Sequence, residues 1–101
     1  MRRAARTDAN QTNIVDALRR CGCLVLPLHQ MGQGVPDLLI CHRGVLAFVE
    51  VKDGDKSPSK RRLTVDQETW HRQWADAPVY VLESVEHVPA LLARVAGDWG
   101  V

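Results

Sequence analysis

Residues 35–52, VPDLLICHRGVLAFVEVK, decide the fold. Two runs rich in Val, Leu, Ile and Phe, Val35 to Cys41 and Val45 to Lys52, flank His42-Arg43-Gly44, the pattern of two strands joined by a tight turn. If Arg43-Gly44 is a two-residue turn, Leu38 faces Val49 and Asp37 faces Glu50. A three-residue loop with a bulge at Gly44 shifts the register by one and sends Asp37 and Glu50 to opposite faces. Gly44 alone does not choose between them. In the first register Asp37, Leu39 and Cys41 share a face with Leu46, Phe48, Glu50 and Lys52. Leu38, Ile40, Val45, Ala47, Val49 and Val51 then line the core face.

Upstream, Ile14, Val15, Leu18 and Cys21 recur at the spacing of one helical face, so a helix capped by Asp8 or Asn10 is expected to run to about Cys21 and end at Gly22. Leu24 to Leu28 is a short strand, and QMGQG at 30–34 is a loop. Downstream, DGDKSPSKRRL at 53–63 is a mobile basic connection without core residues. Thr64-Val65-Asp66-Gln67 has the form of a capping box, opening a helix to about Ala75 that pairs Trp70 with Trp74 at i, i+4. Pro78 stops it. Val79 to Leu82 is a strand, and Val85 to Ala96 is a last amphipathic helix. The order is α-β-β-β-α-β-α, an α/β sheet flanked by helices.

The chain of 101 residues is expected to form a single domain, 1–101, with residues 1–7 a flexible basic N-terminus. A 46% apolar and 25% charged composition excludes a disordered tail or a fibre. The basic start MRRAAR is followed by no apolar segment, and no run approaches the ~20 residues of a bilayer span, so a cytoplasmic protein without membrane association is expected. Cys21, Cys23 and Cys41 match no disulfide framework, and with His29 and His42 they match no common zinc spacing. The formal charge of +1 hides a split. Residues 1–62 hold eleven bases and six acids, and residues 63–101 two bases and six acids. The basic half points to a polyanionic partner.

In the two-residue register, Asp37 and Glu50 stand about 5 Å apart at Cβ and repel one another unless a positive charge lies between them. Few hard oxygen ligands with room for water suit Mg²⁺ or Mn²⁺ better than zinc. Lys52, on the same face, can aim its ammonium at a water or a phosphate. Each piece alone has an ordinary explanation in a turn or a solvated strand. Together they set charges in apolar strands, where an unpaired charge costs several kcal/mol. Gln67 is explained equally well by the capping box. Trp70 and Trp74 read as core or interface, and His71 and His87 as surface residues.

Gly34-Val35-Pro36-Asp37-Leu38-Leu39-Ile40, Phe48-Val49-Glu50-Val51-Lys52, Leu63-Thr64 and Asp66-Gln67 resemble the PD-(D/E)XK nuclease superfamily, and within it the small stand-alone VRR-NUC domains of phages and bacteria. The resemblance implies a restriction-endonuclease-like core with a mixed sheet. It implies that Asp37, Glu50 and the Val51 carbonyl bind the metal, that Lys52 orients or activates water, and that Gln67 assists. It further implies hydrolysis of DNA phosphodiesters, a homodimer, and branched DNA such as four-way junctions as substrate. One departure stands out: where the family carries a helix-one glutamate near the metal, this chain has Gln11 and Asn13. Arg2, Arg3, Arg6, Lys56, Lys60, Arg61 and Arg62 are expected to follow the phosphate backbone. The rival readings are a non-catalytic DNA-binding module that keeps the nuclease fold, and a protein-interaction adaptor.

Overall fold

A computed structural model describes residues 10–54, 56, 59 and 62–98. Among these, helix α1 (Gln11–Arg20) precedes strands β1 (Leu24–Pro27), β2 (Leu38–His42) and β3 (Val45–Val51). Helix α2 (Val65–Gln73), strand β4 (Val79–Leu82), a 3₁₀ turn (Val85–His87) and helix α3 (Val88–Asp98) follow. The expected order is the observed one. The sheet runs β1-β2-β3-β4, antiparallel across the first two joins and parallel at β3–β4. A parallel join needs a crossover, and α2 lies within it.

The β2–β3 turn is the two-residue form. Arg43 and Gly44 have φ of 54° and 82°, as a type I′ turn requires, and Leu38 pairs with Val49, Ile40 with Ala47 and His42 with Val45. The alternation along the strands then sorts the side chains. Leu38, Ile40, Ala47, Val49, Val51, Tyr80 and Leu82 are buried on one face, under Ile14, Val15 and Leu18 of α1 and Val88, Leu91, Leu92 and Val95 of α3. On the other face α2 lies across β3, with Trp70 packed edge-on against Phe48 at 5.3 Å between ring centroids.

Several boundaries differ from expectation by a residue or more, three of them for a clear local reason. The second strand begins at Leu38 instead of Val35, because Gly34 (φ 79°) and Pro36 hold the preceding backbone out of the ladder. Helix α2 ends at Gln73, with Trp74 as its C-cap. The last helix starts at Val88, after the 3₁₀ turn that Ser84 opens by accepting the Glu86 N–H. Among the described residues no helix is long and apolar enough to cross a membrane.

Candidate active site

The site lies where β2 and β3 part company. Leu28 N–H donates to the Asp37 carbonyl at 2.6 Å, so Asp37 stays in line with the sheet on the β1 side. Toward β3 its carboxylate replaces the ladder bond, accepting the Val51 N–H on Oδ2 at 2.8 Å. Continuing the register by one residue sets Asp37 across from Glu50. Glu50 is 1% exposed, an extreme burial for a carboxylate.

Helix α2 supplies the groups that make this burial tolerable. Thr64 and Gln67 form the capping box. The Gln67 side chain also reaches further: Nε2 donates to Glu50 Oε2 at 2.6 Å, and Oε1 accepts from Lys52 Nζ at 2.9 Å as well as from Thr64 N–H at 2.8 Å. Lys52 Nζ stands 3.9 Å from Glu50 Oε2. Gln67 thus closes the helix cap and at the same time bonds Glu50 and Lys52. Gly34 fixes the approach of the Asp37 loop to this helix. A Cβ there would collide with the Asp66 carbonyl group and lie 2.8 Å from Gln67 N, both main-chain atoms.

Of the two helix-one positions, Gln11 is buried at 4% exposure and Asn13 is exposed. Gln11 Oε1 is shielded from solvent and has no hydrogen-bond partner among the described residues, and the same holds for His29 Nδ1. Both residues line one cavity of about 270 Å³ beside Pro27. A buried acceptor without a donor costs about 1–3 kcal/mol, so the pair marks a place suited to a polar guest.

Two contributors were not foreseen from the sequence. Asn10 stands at the N-cap position of α1 but makes no side-chain cap bond. Its Nδ2 donates instead to the carbonyls of Lys52 (3.1 Å) and Glu83 (2.7 Å), stitching the start of α1 to the ends of β3 and β4. His71, expected at the surface, is half-buried, with Nε2 fully shielded and without a hydrogen-bond partner among the described residues. Burial, and then the Lys52 charge, hold its pKa below the usual 6.5. The signal available in the sequence was its i+4 spacing from Gln67.

Lys56 and Arg62 are exposed beyond the end of β3. Arg2, Arg3, Arg6, Lys60, Arg61 and Trp99 lie outside the described residues. The tryptophan pair divides: Trp70 is buried, and Trp74, stacked on it at 5.1 Å, is 52% exposed. His42 and the three cysteines give no metal site, and among the described residues no cluster of three or more His, Cys, Asp or Glu is placed to hold an ion.

Neither a family model nor a curated protein sequence matches the chain. Among solved structures, one described as "VRR_NUC domain" matches with 32% sequence identity and a TM-score of 0.61. The match covers 83% of this chain and 95% of that one.

Proposed function

From the membership of this chain in the VRR-NUC domain family, a nuclease family, we propose that it is a divalent-metal-dependent DNA endonuclease acting on branched DNA such as four-way junctions. The observation that carries the proposal is the bonded set Glu50, Gln67 and Lys52, sealed under α2 and facing Asp37 across the parting strands.

The donors fit Mg²⁺ or Mn²⁺. Asp37, Glu50 and the Val51 carbonyl offer hard oxygen ligands, and Gln11 Oε1, without a partner among the described residues, is the amide oxygen that the helix-one position offers. When bound, such an ion polarises the scissile phosphate and makes an adjacent water more acidic. The protein's own groups do the rest. Gln67 holds the Glu50 carboxylate and the Lys52 ammonium in fixed relation, and Lys52 then offers N–H donors to the negative charge that builds on the phosphate in the transition state. Asp37 is kept from swinging away by the Val51 N–H. Lys56 and Arg62, with Arg2, Arg3, Arg6, Lys60 and Arg61, bind phosphates without reading sequence.

The same reading includes a homodimer, since symmetric cutting of two strands needs two sites about a two-fold axis. The sheet face shared by β1, β2 and β3 supports it. Leu24, Leu26 and Leu46 are 73%, 55% and 55% exposed there, beside half-buried Leu39, Cys41 and Phe48. Trp74, 52% exposed, closes the helix that crosses this sheet, and exposed apolar side chains gathered on one face mark an interaction surface. This face, more than the tryptophan pair that the sequence suggested, is where a second copy fits. Sedimentation equilibrium at micromolar concentration tests it, and a mass of 11.3 kDa throughout would exclude the dimer.

The nuclease itself is tested on supercoiled, single-stranded and four-way-junction DNA with Mg²⁺, Mn²⁺ or EDTA. Cleavage that requires the metal and is abolished in Asp37→Asn and Glu50→Gln is the expected result. A second reading has one observation in its favour, the neutral Gln11 where the family carries an acid: a DNA-binding module without catalysis. It predicts salt-sensitive DNA binding with no cleavage under any metal.

A further inference from the structure

Lys52 has more donors than acceptors. Its ammonium carries three N–H groups and only 11% of its side chain is exposed, so water satisfies little of it. Among the described residues its bonded acceptor is Gln67 Oε1, whose second lone pair is taken by Thr64 N–H. Its anionic partner is Glu50, at the longer distance of 3.9 Å. Glu50 is also a ligand of the proposed metal site, where an ion would compete with the lysine for its charge and leave Gln67 Oε1 as the bonded acceptor.

On the same helix face as Gln67, one turn on, stands the complementary deficit. His71 Nε2 is shielded from solvent and has no hydrogen-bond partner among the described residues. Residues four apart on a helix are neighbours on its surface, and burial, then the Lys52 charge, lowers the pKa of this imidazole. The helix cannot readily carry His71 away. Its first turn is tied by the capping box, and its middle by Trp70, packed on Phe48 at 5.3 Å and stacked with Trp74. A neutral imidazole on the Gln67 face of a tied helix is a hydrogen-bond acceptor suited to the ammonium that Gln67 also bonds.

We infer that His71 is a positioning residue for Lys52: its Nε2 accepts an N–H of the ammonium when Glu50 is engaged, keeping the lysine directed at the scissile phosphate. The inference rests on the nuclease reading for its purpose, but its structural half stands apart. It requires the neutral tautomer with the proton on Nδ1, since a proton on Nε2 would face the ammonium donor to donor.

Two measurements test it. Long-range ¹H–¹⁵N spectra of the metal-free protein report which imidazole nitrogen is protonated, whether or not the protein cleaves DNA. Nδ1–H with a bare Nε2 that shifts on Lys52→Met is expected, and Nε2–H, or no response to Lys52→Met, overturns the inference. In single-turnover cleavage, His71→Phe keeps the ring packing and removes the acceptor. It should lower the rate tenfold or more with little change in DNA affinity, and His71→Gln, which returns an acceptor, should recover most of it. In a Lys52→Ala background His71→Phe should have no further effect, because a positioning residue acts only through the group it positions. Additive losses, or equal losses in His71→Phe and His71→Gln, would assign His71 a merely structural part. Absence of cleavage by the unaltered protein would overturn the purpose inferred for the contact together with the nuclease reading, and the spectra would still decide the contact.

Discussion

Replacing Gly34 by alanine tests whether the Asp37 loop is positioned by its contact with α2. Two costs arise. At φ 79° an L-residue pays about 1–2 kcal/mol for the left-handed conformation. The new methyl group also meets the Asp66 carbonyl group and Gln67 N, atoms of a capped helix end that cannot rotate away, and overpacking of this kind adds about 1–3 kcal/mol. Gly32 is the control within the same loop, because its φ is 70° and a Cβ there meets nothing within 4 Å. Gly32→Ala should thus cost about 1–2 kcal/mol, or roughly 4–16 °C in melting temperature for a domain of this size, and Gly34→Ala clearly more. The functional consequence separates them further. Asp37 lies three residues beyond Gly34, and relief of the clash pushes it away from Glu50 and Gln67, so the folded Gly34→Ala protein should bind Mn²⁺ and cleave DNA poorly. Gly32→Ala should keep both properties. Thermal melts with Mn²⁺ calorimetry below the transition make the comparison. Equal destabilisation by the two substitutions, with metal binding intact in both, would refute the claim that this contact builds the site.

Lys52→Ala should slow cleavage by ~10²-fold or more. Since its side chain is 11% exposed and bonded to Gln67, it should also cost about 1–3 kcal/mol in a denaturant melt; an unaltered rate would remove Lys52 from the mechanism. Gln11→Glu restores a charge at a buried helix-one position, so Mn²⁺ affinity measured by calorimetry should rise, and an unchanged affinity would place Gln11 outside the metal site. Changing Lys56, Lys60, Arg61 and Arg62 together to Ser should lower the slope of log K against log salt by up to ~0.9 for each phosphate no longer neutralised, measured from about 50 to 200 mM. Burial, then the neighbouring Cys21 and Cys41, push the Cys23 thiol up to about 11 from 9.0. The folded state therefore holds this proton more tightly, and its contribution to stability is complete below pH 9.0 and declines toward pH 11. Urea midpoints across that range should fall less steeply in Cys23→Ala.

What the sequence makes legible here follows from how local each signal is. The β2–β3 register is legible because Arg43-Gly44 suits a turn with two positive φ angles, and a one-residue slip would drive Leu38, Ile40, Val49 and Val51 off the core face. That register alone sets Asp37 across from Glu50, and Gln67 announces itself through the capping box at the start of the next helix. The parts that stay hidden depend on how α2 lies across the sheet. His71 sits in a helix with Asp66, Glu68 and Arg72, whose composition gives no apolar stripe; its burial arises only once Trp70 docks on Phe48. Asn10 shows the opposite error, since its residue type signals a helix cap while its amide is drawn to the Lys52 and Glu83 carbonyls. The open sheet face is hidden for a third reason. Leu24, Leu26, Leu39 and Leu46 are as apolar as the residues under α1 and α3, so alternation tells which side chains share a face but not which face the helices cover. A sheet apolar on both sides, with helices filling one and α2 crossing only part of the other, leaves Leu24, Leu26 and Leu46 in solvent, and this is the surface on which the proposed second copy would sit, with the two-fold symmetry that the proposed two-strand cleavage would need.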